Sequence, residues 1–210
     1  MNEHKRENFL QQAWLVLVLS LVFGGMLAGI QLALGPAIEA NKVNETLLKV
    51  PELVVGEAQA QSLAPGTLEI KPLAVEVDKA GKKVRYSVYE AKRDGKLAGW
   101  VAKTSGSGYA DKIELLIGFD PQVETITGLF VLDQKETPGL GNKIVTDAWR
   151  AQFLHKSTDA RLAAVKGKAS APNEIDAVTG ATISSKSVTN IINTAVADLK
   201  QPLADKAKGM

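Results

Sequence analysis

Between Glu7 and Glu39 the chain carries no charged side chain, and residues 13–34 read AWLVLVLSLVFGGMLAGIQLAL. A helix rises about 1.5 Å per residue, so a little over twenty residues match a ~30 Å hydrocarbon core. A helix buried in a soluble protein is rarely apolar on every face over such a length. A cleaved signal peptide has an apolar core of about 7–15 residues followed by a small-x-small site. Here the run is longer, and Ala37-Ile-Glu-Ala40 is a poor cleavage site. Residues 13–35 are therefore expected to form a retained transmembrane helix. Lys5 and Arg6 precede it, and Glu39 and Lys42 follow. The positive-inside tendency then leaves residues 1–12 cytoplasmic and sends the remainder across the membrane. Gly25 and Gly29 give a spacing that lets another helix approach, or simply reflect how common glycine is in membrane helices. One apolar helix without an ionisable residue forms no ion pathway by itself.

Beyond the anchor, a chain of 210 residues has room for one domain of ordinary size. Net charge is +2, and no Lys/Arg cluster interleaves with aromatics, so a nucleic-acid partner is not expected. Cysteine is absent and the histidines are His4 and His155. That composition excludes disulfides, thiolate zinc sites, Cys-ligated iron–sulfur clusters and c-type haem attachment, and no metal site is expected. If such a chain handles electrons, it needs an organic cofactor.

Residues 36–48 can continue as a helix leaving the bilayer, with Pro51 ending it. Residues 84–88 alternate as a half-buried strand does, Asp94-Gly95 supplies a turn, and 96–103 return, predicting a hairpin. Residues 112–119 and 125–133 read as further strands, 144–154 as a short amphipathic helix and 161–165 as another strand. Val188, Ile191, Ile192, Ala195, Val196 and Leu199 recur at helical spacing, with Ser184 or Ser185 as N-cap. The expected fold is α+β, one domain over 36–200 with a largely antiparallel sheet flanked by helices. The Lys/Ala-rich stretch 201–210 is expected to fray.

Three glycine-bearing segments stand out: SGSGY at 105–109, ETPGLG at 136–141 and TGAT at 179–182. Singly, each is ordinary turn chemistry. Walker, Rossmann and hydrolase-elbow patterns are missing, and His155 reads as a surface residue. In DAVTGATISS, 176–185, a strand turns into a helix N-terminus, where free amides and the helix dipole favour an anion. Thr182 is a poor nucleophile without a base, and nothing local supplies one, since Asp176 serves at most to shape the turn. Modification by another enzyme stays open. A phosphate on Thr182 would lie beside the helix N-terminus, with Lys186 about one turn on.

A single membrane anchor, then ETPGLG at 136–141, then D-x-x-T-G-A-T-x-S at 176–184, resembles the flavin-carrying G subunit of bacterial Rnf (Rsx) electron transport complexes in order and spacing. The C subunit of the sodium-translocating NADH:quinone reductase, which carries covalent FMN, is a relative of that family. The resemblance implies a periplasmic FMN-binding domain on the bacterial inner membrane. It also implies a flavin transferase that takes FMN from FAD and joins its phosphate to Thr182. The partners implied are the other membrane proteins of an ion-translocating ferredoxin/NAD complex, in which the chain is an electron carrier with no catalytic residue of its own. By the same resemblance, Thr179, Gly180, Ala181 and Ile183 surround the attachment, and Thr137 and Leu140 border the isoalloxazine. Glu136, Gly139, Gly141 and Lys143 shape or polarise the pocket, while Gly106, Gly108 and Tyr109 lie on the cofactor's other side. Trp100 and Trp149 offer rings that could stack on the flavin, with a core role the better reading for both. The alternatives are the quinone-reductase homologue, a stand-alone flavinylated carrier and, in a different class, a cofactor-free membrane-tethered binding module.

Overall fold

The computed structural model describes residues 3–64, 66–79 and 81–209. The chain divides into two compact units, residues 1–44 and 45–210. Helix α1 (Glu3–Val55) makes up the first unit and supplies the opening turns of the second. Among the described residues, Ala13–Val55 holds the one helix long and apolar enough to cross a membrane. Its large side chains, Trp14, Leu21, Leu27 and Leu32 among them, are exposed. An apolar helix with no buried face suits lipid rather than water.

Contrary to expectation, Pro51 does not end α1, which continues to Val55. The proline removes one intrahelical bond and costs about 3 kcal/mol. Against that, Val50, Leu53 and Val54 are buried, each burial contributing about 1.5–3 kcal/mol. Packing therefore outweighs the break. A short helix, α2 (Glu57–Ser62), follows Gly56.

Five strands form a single meander: β1 (Leu68–Lys79), β2 (Lys82–Arg93), β3 (Lys96–Ser107), β4 (Lys112–Phe119) and β5 (Ile126–Asp133). Their spatial order follows the chain, and every neighbouring pair is antiparallel. Asp94 and Gly95 both take positive φ, 51° and 76°, the signature of a two-residue hairpin turn whose twist matches its strands. β1 was not foreseen. Pro72 interrupts its pattern but is tolerated because β1 is the edge strand, where a missing donor breaks no ladder.

Side chains alternate across this sheet. Trp100, Ala102, Leu115, Ile117, Phe119, Leu129 and Val131 face the main core, which the last helix, α4 (Thr182–Lys208), covers with Val188, Ile191, Ile192, Ala195, Leu199 and Leu203. Residues 201–208, expected to fray, are the final turns of α4, fixed by buried Leu203 despite Pro202. Tyr86 donates its hydroxyl to Asp198 of α4, and Lys79 Nζ meets the same carboxylate at 2.6 Å, tying the β1–β2 hairpin to the helix. Burial, together with the Asp198 carboxylate, raises the Tyr86 pKa above its ordinary value.

On the other sheet face, Tyr89, Ala91, Val101, Leu116 and Leu132 enclose Val50, Leu53 and Val54. Gly118 and Gly128 pair across β4 and β5 beneath Leu53. A Cβ on Gly128 would lie 2.8 Å from Leu53 Cδ2, and one on Gly118 would strike the Leu53 carbonyl. That carbonyl instead accepts the Thr127 hydroxyl at 2.6 Å.

The amphipathic helix expected over 144–154 is broken into a 3-10 turn (Gly141–Val145), α3 (Asp147–Arg150) and a second 3-10 turn (Ala151–Phe153). In a continuous helix Ile144 and Trp149 would point well away from each other, yet both are buried. Extended Thr146 (ψ 140°) redirects the chain so that both reach the core. Finally, β6 (Ala163–Val165) and β7 (Glu174–Asp176) pair in parallel as a separate small sheet. β6 is shorter than the strand expected over 161–165. Trp100 and Trp149 are buried, their indole N–H groups donating to the carbonyls of Pro121 (3.1 Å) and Asp176 (2.8 Å). His155 is exposed at φ 60°.

Candidate functional site

Three loops that lie far apart in sequence meet beside the first turn of α4. β3 ends at Ser107, and Gly108 turns the chain toward β4, its amide bonding the Asp111 carbonyl at 2.7 Å. After β5, Glu136 folds inward and is 4% exposed. Its Oε1 accepts the amides of Tyr109 (3.0 Å) and Ala110 (3.1 Å), and its Oε2 accepts the Ser184 hydroxyl at 2.5 Å. One carboxylate thus joins the Gly-Tyr loop, the ETPGLG loop and α4. A buried charge is tolerable only with such partners.

The glycines around Glu136 follow from this. A Cβ on Gly141 would sit 2.8 Å from Ser184 Oγ and 2.9 Å from Glu136 Cβ, and one on Gly108 would strike Glu136 Oε1. Both are glycine because the carboxylate and its neighbours fill the space.

After β7 the chain turns at Val178–Ala181, closed by the Ala181 amide on the Val178 carbonyl at 2.9 Å, with Gly180 at φ 80°. A Cβ on Gly180 would lie 3.0 Å from Leu140 Cδ2, so this turn rests on the ETPGLG loop. α4 begins at Thr182, and no side chain caps it. Ser184 and Ser185, expected as caps, lie inside the helix and are buried. Ser185 Oγ accepts the Val178 amide at 2.9 Å and donates to the Ala181 carbonyl at 3.1 Å, bracing the turn from beneath. Amides of an uncapped first turn carry partial positive charge.

Between these loops lies a cleft of about 850 Å³, within the size range of small-molecule and cofactor sites. It is lined by Tyr109, Thr137, Leu140 and Gly141, by Ala177 through Ser184, and by Lys166, Gly167 and Lys186. The sequence candidates Thr179, Gly180, Ala181, Thr182 and Ile183 are thereby brought together with Thr137, Leu140, Gly141 and Tyr109. Glu136 and Gly108 stand behind the wall. Gly139 is exposed, its φ of 77° set by the turn, and a Cβ on it would meet nothing within 4 Å. Lys143 is exposed in the following 3-10 turn and does not line the cleft. Lys166, Gly167, Ala177, Val178 and Ser184 are additions from the structure. Nothing in sequence separates Lys166 from other lysines, because only the β6–β7 crossover carries it here.

The charged residues lining the cleft are Lys166 and Lys186, both cationic, with no carboxylate or histidine beside them. Apolar contact comes from Leu140 and Ile183 (44% and 56% exposed) and from the exposed ring of Tyr109. Outside the lining, the amide of Lys112, then Lys135, holds the Asp111 carboxyl below its ordinary pKa. The amides of Ser170 and Ala171 do the same for Glu174.

The pattern of the FMN-binding domain family matches residues 108–197. The chain is 36% identical over 130 residues to the G subunit of the Na(+)-translocating ferredoxin:NAD(+) oxidoreductase complex of Acetobacterium woodii, covering 61% of this chain and 62% of that protein. It is 31% identical over 150 residues to the G subunit of the ion-translocating oxidoreductase complex of Methanosarcina acetivorans, covering 69% of this chain and 77% of that one. The crystal structure of Shewanella oneidensis NqrC shares the fold, with a TM-score of 0.67 at 19% identity over 81% of this chain and 100% of that one.

Proposed function

Because the chain belongs to the family of G subunits of ion-translocating oxidoreductase complexes, we propose that it is the membrane-anchored flavoprotein of such a complex, of ferredoxin:NAD type. FMN occupies the cleft, joined to Thr182 through a phosphoester. The observation that carries this reading is the meeting of Thr182 with the ETPGLG and Gly-Tyr loops around one cleft whose lining charges are all positive. The donor set fits the group: apolar walls for a flat ring, hydroxyls and an uncapped helix start for a phosphate, and no acid to repel it.

Bound FMN supplies one- and two-electron transfer, and the protein supplies position and electrostatics. Leu140 and Ile183 would give the ring apolar contact. Thr182 offers its hydroxyl, and Lys186 balances the phosphate charge. With no histidine or carboxylate in the lining, the cleft holds no base to activate Thr182, so attachment falls to a separate flavin transferase. Residues 13–35 anchor the protein in the bacterial inner membrane, with residues 1–12 cytoplasmic and the domain periplasmic. Ion translocation belongs to multi-spanning partners.

The quinone-reductase homologue and a stand-alone flavinylated carrier differ in partners rather than in chemistry. Co-purification with multi-spanning proteins of the complex separates them from the proposed role. The cofactor-free binding module is separated by a denaturing gel of membranes viewed under ultraviolet light. With a working flavin transferase, the wild-type band fluoresces and Thr182→Ala is dark. A dark wild-type band overturns the proposal.

A further inference from the structure

The five-stranded sheet opens at one end. β1 and β2 pair as far as Lys79 with Lys82, and β3 and β4 as far as Ser107 with Lys112, but pairing between β2 and β3 stops at Ser87 with Lys103. Residues 82–86 and 104–107 therefore have a neighbouring strand on one side only, and a groove of about 440 Å³ lies in the fork between them. Each strand turns about half of its amides and carbonyls toward the missing neighbour. Among the described residues, no loop supplies main-chain bonds in its place.

α4 draws the two hairpins apart. Tyr86 and Lys79 tie the tip of the β1–β2 hairpin to Asp198. β3 meets the same helix about two turns earlier, where a Cβ on Gly106 would lie 2.6 Å from Ile191 Cγ1. Gly106 thus lines this fork and not the cleft beside Thr182.

The charged residues lining the fork are Arg85 and Lys103, with no carboxylate beside them. Arg85 is exposed and, among the described residues, forms no ion pair, although Glu76 lies opposite it on β1. Lys103 reaches Glu114 only at 3.9 Å. By alternation along the strands, both cations lie on the sheet face of Tyr89 and Val101, away from α4. Thr104, on the α4 side, lines the fork and is 9% exposed. Its hydroxyl has no protein partner among the described residues. A small anion would meet the cations and leave the strand edges bare. An extended polypeptide carrying acids on one face and apolar side chains on the other would satisfy both.

We propose that the fork accepts an extended acidic segment of another polypeptide, whose main chain bonds the open edges of β2 and β3. Its carboxylates lie beside Arg85 and Lys103, and its apolar residues face Ile191 of α4. This docking site is separate from the cleft and does not depend on the cleft's occupant.

The test uses the full chain purified in detergent and a fluorescein-labelled peptide, Val-Glu-Val-Glu-Val, followed by fluorescence polarisation at low salt. The acidic peptide binds at least roughly tenfold tighter than Val-Lys-Val-Lys-Val. A version with the same charges but N-methylated amides, which cannot donate to a strand edge, loses a similar factor. Arg85→Gln weakens binding about threefold, and Arg85→Gln with Lys103→Gln about tenfold, with Tm unchanged. Lys168→Gln, outside the fork, has no effect. Bound peptide slows hydrogen exchange within 82–86 and 104–107 but not along the outer edge of β1. Failure of the acidic peptide to bind overturns the proposal, as does equal binding of the lysine peptide. Equal binding of the N-methylated peptide overturns it too, because charge alone then holds the ligand. So does unchanged affinity in Arg85→Gln, or protection confined to β1. Protection of the fork that grows with protein concentration in the absence of peptide assigns it to a second copy of this chain and overturns the acidic partner.

Discussion

Removing the Glu136 carboxylate should loosen three segments at once. In Glu136→Ala the amides of Tyr109 and Ala110 and the hydroxyl of Ser184 lose their acceptor. Hydrogen bonds to a charged group contribute about 1.5–3 kcal/mol each. The three are not equal here. Tyr109 and Ala110 are exposed, so water replaces much of what their amides lose. Ser184 is 2% exposed and has no such recourse. One full loss, two discounted ones and a small void give about 3 kcal/mol. For a domain of this size each kcal/mol moves Tm by about 2–4 °C, so the variant should melt roughly 6–12 °C lower. Glu136→Gln keeps a carbonyl oxygen for the two amides and turns its own amide toward Ser184 Oγ, which can accept. Only charge assistance goes, about 1 kcal/mol. Thermal melts in detergent measure both, and hydrogen exchange at Tyr109 and Ala110 should accelerate in the alanine variant alone. The reasoning fails if alanine lowers Tm by less than about 3 °C, or if glutamine is as damaging as alanine.

Gly141→Ala forces a methyl into the space held by Ser184 Oγ and Glu136. It should cost about 1–3 kcal/mol by overpacking, whereas a melt within about 1 °C of wild type would place the carboxylate elsewhere. Because the Tyr86 pKa is raised in the folded state, its stabilisation is complete below the ordinary value of 10.0 and is lost as pH rises toward the folded one. Wild-type Tm should therefore fall faster than that of Tyr86→Phe above pH 10.0; parallel curves would refute the assignment. A chain starting at Glu45 retains buried Val50, Leu53 and Val54 and should fold as a soluble domain by circular dichroism. One starting at Glu57 forfeits about 5–9 kcal/mol of burial, comparable to a whole domain's stability, and should not fold. Equal folding of the two would show that α1's last turns are dispensable.

The parts of the fold governed by local pattern were legible in sequence. Strands β4 and β5, the Asp94-Gly95 hairpin and the apolar stripe of α4 each follow from alternation, turn chemistry or helical period. Where distant contacts overrule local rules, reading failed. Pro51 lies inside α1 because three buried side chains outweigh one missing bond, and Pro72 concealed an edge strand. Residues 144–154 break because Ile144 and Trp149 must reach the same core from angles no single helix offers. At the site, sequence located the segments that line the cleft but not the division of labour within them. Sequence alone did not show that the missing side chains of Gly108 and Gly141 leave room for the Glu136 carboxylate. Ser184 and Ser185 look like caps and are instead buried fasteners. Lys166 left no trace, since its place depends on a three-residue parallel pairing between strands too short to recognise.

The last helix closes the site as well as covering the core. Tyr109, Thr137, Leu140 and Gly141 are the lining residues that precede Lys166, and the loops bearing them are joined to α4 through Ser184 and Glu136. A chain synthesised from its N-terminus therefore has no complete cleft until α4 has docked. On the proposed reading, an enzyme that recognises the assembled cleft would meet Thr182 only on completed domains. On that reading, chains stalled or truncated before α4 would stay unmodified, and loading at Thr182 would report that the domain has folded.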